Sequence, residues 1–136
     1  MFRVSKKTEY SILALRHLHQ SAEGTATVRE IAEACRIPLA LLAKLMQRLA
    51  RQGMVNSLQG VNGGYRLERR MDGINLAEVM EAVEGPFRIT ACGARGEGCE
   101  RSEFCDFKGA IRPLQRQMFN YLQSVTLADL ERTAGL

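Results

Sequence analysis

Residues 27–70 read TVREIAEACRIPLALLAKLMQRLARQGMVNSLQGVNGGYRLERR, and this stretch decides the fold. Thr27 and Glu30 form a capping box, each side chain satisfying a free backbone amide at a helix start. The short helix behind them buries Val28, Ile31, Ala32 and Cys35. Pro38 suits the first turn of a second helix. That helix runs to Gln52 and stops at Gly53, which caps in the left-handed conformation. Its apolar stripe is Leu42, Leu45, Met46 and Leu49, while Lys44, Arg48 and Arg51, three and four apart, share another face. A hairpin then joins residues 54–58 to residues 65–69 through the turn-forming run Gln59-Gly60-Val61-Asn62-Gly63-Gly64. Arg66, Arg69 and Arg70 place positive charge on and beyond it. Two short helices followed by a basic hairpin make a winged helix-turn-helix. In that arrangement the second helix enters the major groove and the hairpin touches the backbone beside it.

Working outward, a first helix is expected from about Ser5 to Gln20, with Tyr10, Leu13, Ala14, His17 and Leu18 facing the core. Glu23-Gly24-Thr25 reads as a loop. Asn75 and Glu78 cap a helix that turns Leu76, Val79, Met80 and Val83 inward and ends at Gly85-Pro86. A long helix begins between Asp106 and Pro113. Phe107, Ile111, Leu114, Met118, Tyr121, Val125 and Ala128 form an a/d seam along it, the pattern by which two helices zip together. Pro113 belongs in its first turn, or else kinks it. Thr126 and Asp129 start a small terminal helix. The expected fold is mainly α: a winged helix-turn-helix with a β-hairpin wing and a long C-terminal dimerisation helix. Residues 1–85 form the DNA-binding region and residues 86–136 the cysteine loop and dimerisation helix, within one compact domain.

The bulk properties agree. The 136 residues are 46% hydrophobic and 25% charged, which excludes bulk disorder. A net charge of +4 suits a polyanionic partner. The longest apolar run, Leu39 to Ala43, is far shorter than a membrane span, and the N-terminus lacks a secretory signal. A cytoplasmic protein is expected, in which cysteines serve metal or redox chemistry rather than a disulfide framework.

Cys92, Cys99 and Cys105 are spaced C-x6-C-x5-C, with Gly93, Gly96 and Gly98 between them. Structural zinc sites favour closer pairs, so the wider spacing fits an iron–sulfur cluster better. A thiol-only redox switch, through a Cys92–Cys99 or Cys99–Cys105 disulfide, and a zinc site are the alternatives. Local candidates for a fourth ligand are Glu97, Glu100, Glu103 and Asp106; elsewhere Glu9, His17, His19 and Cys35 qualify. Cys35 reads as a core filler, because free Cys behaves as a small hydrophobe. Gly60, Gly63 and Gly64 lack the spacings of a nucleotide cradle. No C-x-x-C or His–Cys pairing appears, so an enzyme is not expected.

The wing Gly60-Val61-Asn62-Gly63-Gly64-Tyr65-Arg66-Leu67, the three-cysteine loop and Thr126-Leu127-Ala128-Asp129-Leu130 together resemble the Rrf-two family. These are iron–sulfur winged helix-turn-helix regulators of the IscR/NsrR type, and the resemblance runs from Val4 to Leu130. It implies a homodimer on a pseudo-palindromic double-stranded operator, with a cluster held by Cys92, Cys99 and Cys105. Operator binding then responds to cluster loss, oxidation or nitrosylation. Where one branch places a His three residues after the last Cys, this chain has Lys108, which cannot ligate in its stead. Where another takes an Asp from the partner's first helix, this chain has Glu9, which thus becomes the fourth ligand across the dimer. The first cysteine gap is one residue longer than usual. A [2Fe-2S] cluster is favoured, with [4Fe-4S] the alternative.

On the DNA side, the resemblance places residues 38–51 in the major groove, beginning at Pro38, with Ala40, Leu41 and Lys44 at the recognition positions. Lys44 reaches a guanine edge, while Arg48, Arg51 and Arg66 meet phosphates. Gln59, Gly60, Asn62, Gly63, Gly64 and Tyr65 complete the contact. Dimerisation is assigned to Ile111, Leu114, Met118, Tyr121 and Val125. The implied function is a repressor controlling iron–sulfur assembly (SUF/ISC) genes. A cluster-free thiol switch and a nitric-oxide-responsive repressor are the alternatives.

Overall fold

The computed structural model describes residues 3–61, 63–90, 99–101 and 103–135. Its elements are α1 (Lys6–Gln20), β1 (Thr25–Ala26), α2 (Val28–Cys35), α3 (Leu39–Arg51), β2 (Val55–Leu58) and β3 (Gly64–Leu67). After a 3-10 turn at Met71–Gly73 come α4 (Leu76–Glu84), α5 (Lys108–Ser124) and α6 (Leu127–Thr133). The fold is the expected mainly α winged helix-turn-helix.

The helix starts are set by local hydrogen bonds. At α2, the Glu30 amide donates to Thr27 Oγ1 (3.1 Å) and the Thr27 amide to Glu30 Oε2 (2.7 Å). Reciprocal pairs also close α4, through Asn75 and Glu78, and α6, through Thr126 and Asp129. Leu42, Leu45, Met46 and Leu49 of α3 are all buried, as their spacing requires.

α1 is rotated from the expected face. Thr8, Ser11, Ala14, Leu15 and Leu18 are buried, whereas Tyr10, Leu13 and His17 are half-buried. Small hydroxyl residues can occupy the interior here because their polar atoms are satisfied locally. Ser11 Oγ donates to the Lys7 carbonyl (2.8 Å), and Thr8 Oγ1 accepts from Ser5 Oγ (3.5 Å).

The segment expected to be a loop ends in a strand. Thr25 pairs with Arg66 and Ala26 with Tyr65, which makes β3 the centre of a three-stranded antiparallel sheet ordered β1-β3-β2. The pairing depends on Gly64, where an added Cβ would lie 2.5 Å from the Ala26 carbonyl oxygen. The two hairpin strands are each shorter than expected, with Val55 opposite Leu67 and Leu58 opposite Gly64.

The main core joins Ala14, Leu15 and Leu18 of α1 to Ile31, the α3 stripe, Val79, Val83 and Leu127. A smaller cluster, Leu76, Ala77, Met80 and Leu122, seats α5 on α4. Burying each such Leu contributes about 1.5–3 kcal/mol.

The long helix corrects two expectations. It starts at Lys108, so Pro113 lies in the second turn, in the helix interior, and supplies no amide to the Gly109 carbonyl. It ends at Ser124, so Val125 is not a seam residue. Val125 has extended backbone, packs against the smaller cluster, and accepts a hydrogen bond from the Leu76 amide (2.8 Å). Ala128 belongs to α6 and packs on the main core. The chain turns there because the Leu127 amide donates to the Ile74 carbonyl (2.9 Å), beside a bridge between Asn75 and Thr126.

Candidate nucleic-acid interface and cysteine segment

With its apolar stripe buried, α3 turns Ala40, Lys44, Gln47 and Arg51 to solvent. Their spacing of four, three and four residues makes one continuous ridge. Gln47 was missed in the sequence reading, which followed charge alone; the spacing from Lys44 to Arg51 was the available signal. Pro38 is the N-cap residue and makes no side-chain cap bond. Leu41 is half-buried and packs against the main core, so its side chain is shared between packing and surface.

Arg48 is directed elsewhere. Its Nη1 donates to the Val83 carbonyl (2.5 Å), at the C-terminal end of α4. The guanidinium therefore satisfies a carbonyl of the last turn and complements the negative end of the helix. Charge near the wing is redistributed in the same way. Arg69 pairs with Glu78 (3.0 Å) and Arg70 with Asp72 (3.1 Å). Lys44, Arg51 and Arg66 make no ion pair among the described residues.

The hairpin is rooted at its base and raised at its tip. Val55 is buried, and Tyr65 and Leu67 pack against the main core. Gly64 and Tyr65 are thus half-buried parts of the wing's root, while Gln59, Gly60 and Val61 are exposed and Gly63 is half-buried. Asn62 lies outside the described residues. The turn closes through the Gly63 amide, which donates to the Gly60 carbonyl (3.0 Å), and Gly60 has φ +117°.

Cys99 and Cys105 are free thiols, both half-buried, in the segment that leads into α5. The Cys105 carbonyl accepts from the Lys108 amide at the helix start (3.4 Å). Cys92 lies outside the described residues. Among the described residues no three His, Cys, Asp or Glu side chains gather as a metal site. Glu9 lies on the exposed side of α1 and pairs with Lys6 (2.9 Å). Within one chain, the described structure does not bring it to the cysteines. Cys35 packs against the main core, its Sγ 3.8 Å from the Leu13 carbonyl. Burial pushes its thiol pKa up, with the Arg16 cation acting in the opposite direction.

α5 meets α4 through Phe119 and Leu122, and Gln115 Oε1 accepts from the Ile89 amide (3.3 Å). Leu114 and Tyr121 lie on the outer side of the helix, while Ile111 and Met118 are half-buried beside the face that Leu122 turns inward. Tyr121 is 70% exposed and Leu114 47%, and Phe104 and Phe107 just before the helix are exposed as well.

A recognition helix with an open polar ridge, backed by a packed helix pair and flanked by a hairpin, defines a winged helix-turn-helix DNA-binding regulator. The chain belongs to the Rrf-two (Rrf2) family of iron-dependent transcriptional regulators, which it matches over residues 4–133. It is similar to the HTH-type transcriptional regulator IscR of Erwinia tasmaniensis, with 34% identity over 130 residues, 94% of this chain and 78% of that one. Protein aau3 of Rhizobium meliloti is 33% identical over 129 residues, 94% of this chain and 84% of that one. Among solved structures, T. potens IscR superimposes with a TM-score of 0.71 at 26% identity, covering 98% of this chain and 88% of that one. CymR, the global cysteine regulator of B. subtilis, gives 0.68 at 25% identity, covering 98% of both chains. The protein is thus a transcriptional regulator and not an enzyme. No helix among the described residues is long and apolar enough to cross a membrane.

Proposed function

We propose that this chain is a cytoplasmic, homodimeric repressor whose grip on a pseudo-palindromic operator is set by an iron–sulfur cluster, and that it controls iron–sulfur assembly (SUF/ISC) genes. The observation that carries the reading is the pair of free, half-buried thiols, Cys99 and Cys105, immediately before the open apolar face of α5. This donor set fits such a group: thiolates are its usual ligands, and partial burial protects them while leaving access. Cys92, Cys99 and Cys105 would hold it, with Glu9 of the partner subunit as the fourth donor. Oxygen ligation favours [2Fe-2S], with [4Fe-4S] the alternative. When bound, the group supplies metal–ligand bonds that oxidation and nitric oxide can break.

The rest is work for this chain's own residues. Ile111, Leu114, Met118 and Tyr121 join two copies and thereby fix the distance between two α3 helices. Ala40, Lys44 and Gln47 face base edges, with Lys44 suited to guanine and Gln47 to adenine. Arg51 and Arg66 meet phosphates and set the register. Arg48 holds the end of α4 instead. α1 packs against α2, α3 and α4, so a bond made at Glu9 acts on the element that backs the recognition helix.

Two observables test this reading on full-length protein purified without oxygen. The preparation is expected to be brown and to show iron and sulfide on the dimer by native mass spectrometry, and Cys99→Ala is expected to lose the visible absorption. A colourless dimer that releases its operator only when thiols are oxidised would establish the cluster-free switch instead. A zinc-bearing, colourless one would establish a structural metal.

A further inference from the structure

We propose that Val61, at the apex of the wing, enters the minor groove and selects A·T over G·C base pairs there; the inference rests on the reading of this chain as an operator-binding regulator. Val61 is fully exposed, at 104%, the highest value among the large hydrophobic residues described. A single exposed apolar side chain is ordinary on a protein surface, but this one is presented by a built device. Gly60 at φ +117° and the Gly63–Gly60 hydrogen bond (3.0 Å) close the turn. Gly63 has no room for a side chain, since a Cβ there would lie 2.7 Å from the Leu58 carbonyl oxygen. Below the turn, β3 is paired on both edges and Val55 is buried, so the hairpin is firmly rooted.

The chemistry of the tip points away from phosphate. No Lys or Arg occurs from Gln59 to Tyr65. The unpaired cations are set back, Arg66 on β3 and Lys44 and Arg51 on α3, where they suit the phosphates that border a groove. Valine has no hydrogen-bonding group, so it reads shape and the presence or absence of a polar group. The minor-groove floor of an A·T pair offers only acceptors, whereas G·C adds the protruding guanine amino group. Covering that amino group with methyl groups strips it of water and gives nothing in return. Apolar side chains do enter minor grooves.

The test uses a duplex enriched from a randomised library by the full-length protein without oxygen, with the wing's position mapped by hydroxyl-radical footprinting. Changing A·T to G·C at the wing-protected steps is expected to weaken binding about tenfold. Inosine·C, which lacks the minor-groove amino group but keeps the other features of G·C, is expected to restore it. Val61→Gly should erase the difference and Val61→Ile should retain it, while major-groove substitutions opposite α3 stay equally costly in all three proteins. If inosine·C binds as poorly as G·C, or Val61→Gly discriminates like the parent, Val61 is not the reader. A library that yields no enriched duplex overturns the operator reading and this inference with it.

Discussion

Gly64 decides how closely β1 can approach β3. A Cβ there would meet backbone atoms, with the Ala26 oxygen at 2.5 Å, so Gly64→Ala must push the strands apart. The expected cost is about 1–3 kcal/mol, read as a melting temperature several degrees lower. Gly73→Ala, where nothing stands within 4 Å, should leave it nearly unchanged. The capping carboxylates act through pH. Glu30 and Asp129 are held below the ordinary carboxylate pKa chiefly by backbone amides, those of Thr27 and Thr126. At Glu78 burial works the other way, but hydrogen bonds from Arg69 and the Asn75 amide outweigh it. A lowered pKa means that the folded state binds fewer protons than the unfolded one. Their stabilisation is therefore present above the normal carboxylate range and fades as pH falls below about 4. Melting temperature should be level from neutral pH to mildly acidic and then fall, and Glu78→Gln should make the acid limb shallower. These caps were legible in the sequence because both partners lie three residues apart. The Gly64 contact and the Arg48–Val83 bond were not, because each joins segments that only the folded chain brings together.

Helical periodicity shows which side chains share a face, but not where the face stops. The spacing that runs from Phe107 through Tyr121 continues on paper to Val125 and Ala128, yet the helix ends at Ser124 and those two residues turn back into the protomer. The same limit hid β1, two residues too short to show an alternating pattern, and the rotation of α1, whose inward face includes hydroxyl residues that a hydrophobicity reading passes over. By contrast, the α3 stripe was legible in full, since four large apolar residues recur at helical spacing and all are buried. The boundary within α5 has a measurable consequence. Leu122 is 8% exposed and holds α5 to α4, so Leu122→Ala should destabilise the protomer by about 2–5 kcal/mol. Tyr121 is 70% exposed, so Tyr121→Ala should leave the protomer's fold intact and weaken self-association. Sedimentation equilibrium and thermal melting separate the two effects, and equal loss of stability in both variants would refute the assignment of faces.

At the scale of the whole molecule, the net charge is +4 per chain, and Lys44, Arg51 and Arg66 on α3 and the wing make no ion pair among the described residues. If a dimer places Arg51 and Arg66 of both copies on about four phosphates, affinity should drop roughly a hundredfold between 50 and 200 mM salt; a flat salt response would exclude backbone contact of that extent. The family and the winged helix-turn-helix fold were legible because the wing and the caps are local signals in unbroken order. The three cysteines were legible as residues but not as a site, since Cys92 lies outside the described residues and the fourth donor proposed for them, Glu9, would come from the partner subunit. The central claim is a coupling between the cysteine segment and the reading heads, and couplings of this kind amount to about five- to 150-fold in affinity. Operator affinity measured without oxygen on one preparation, before and after its iron is removed by a chelator, tests it most directly. The account predicts at least a tenfold difference between the two forms, and identical affinities would contradict it.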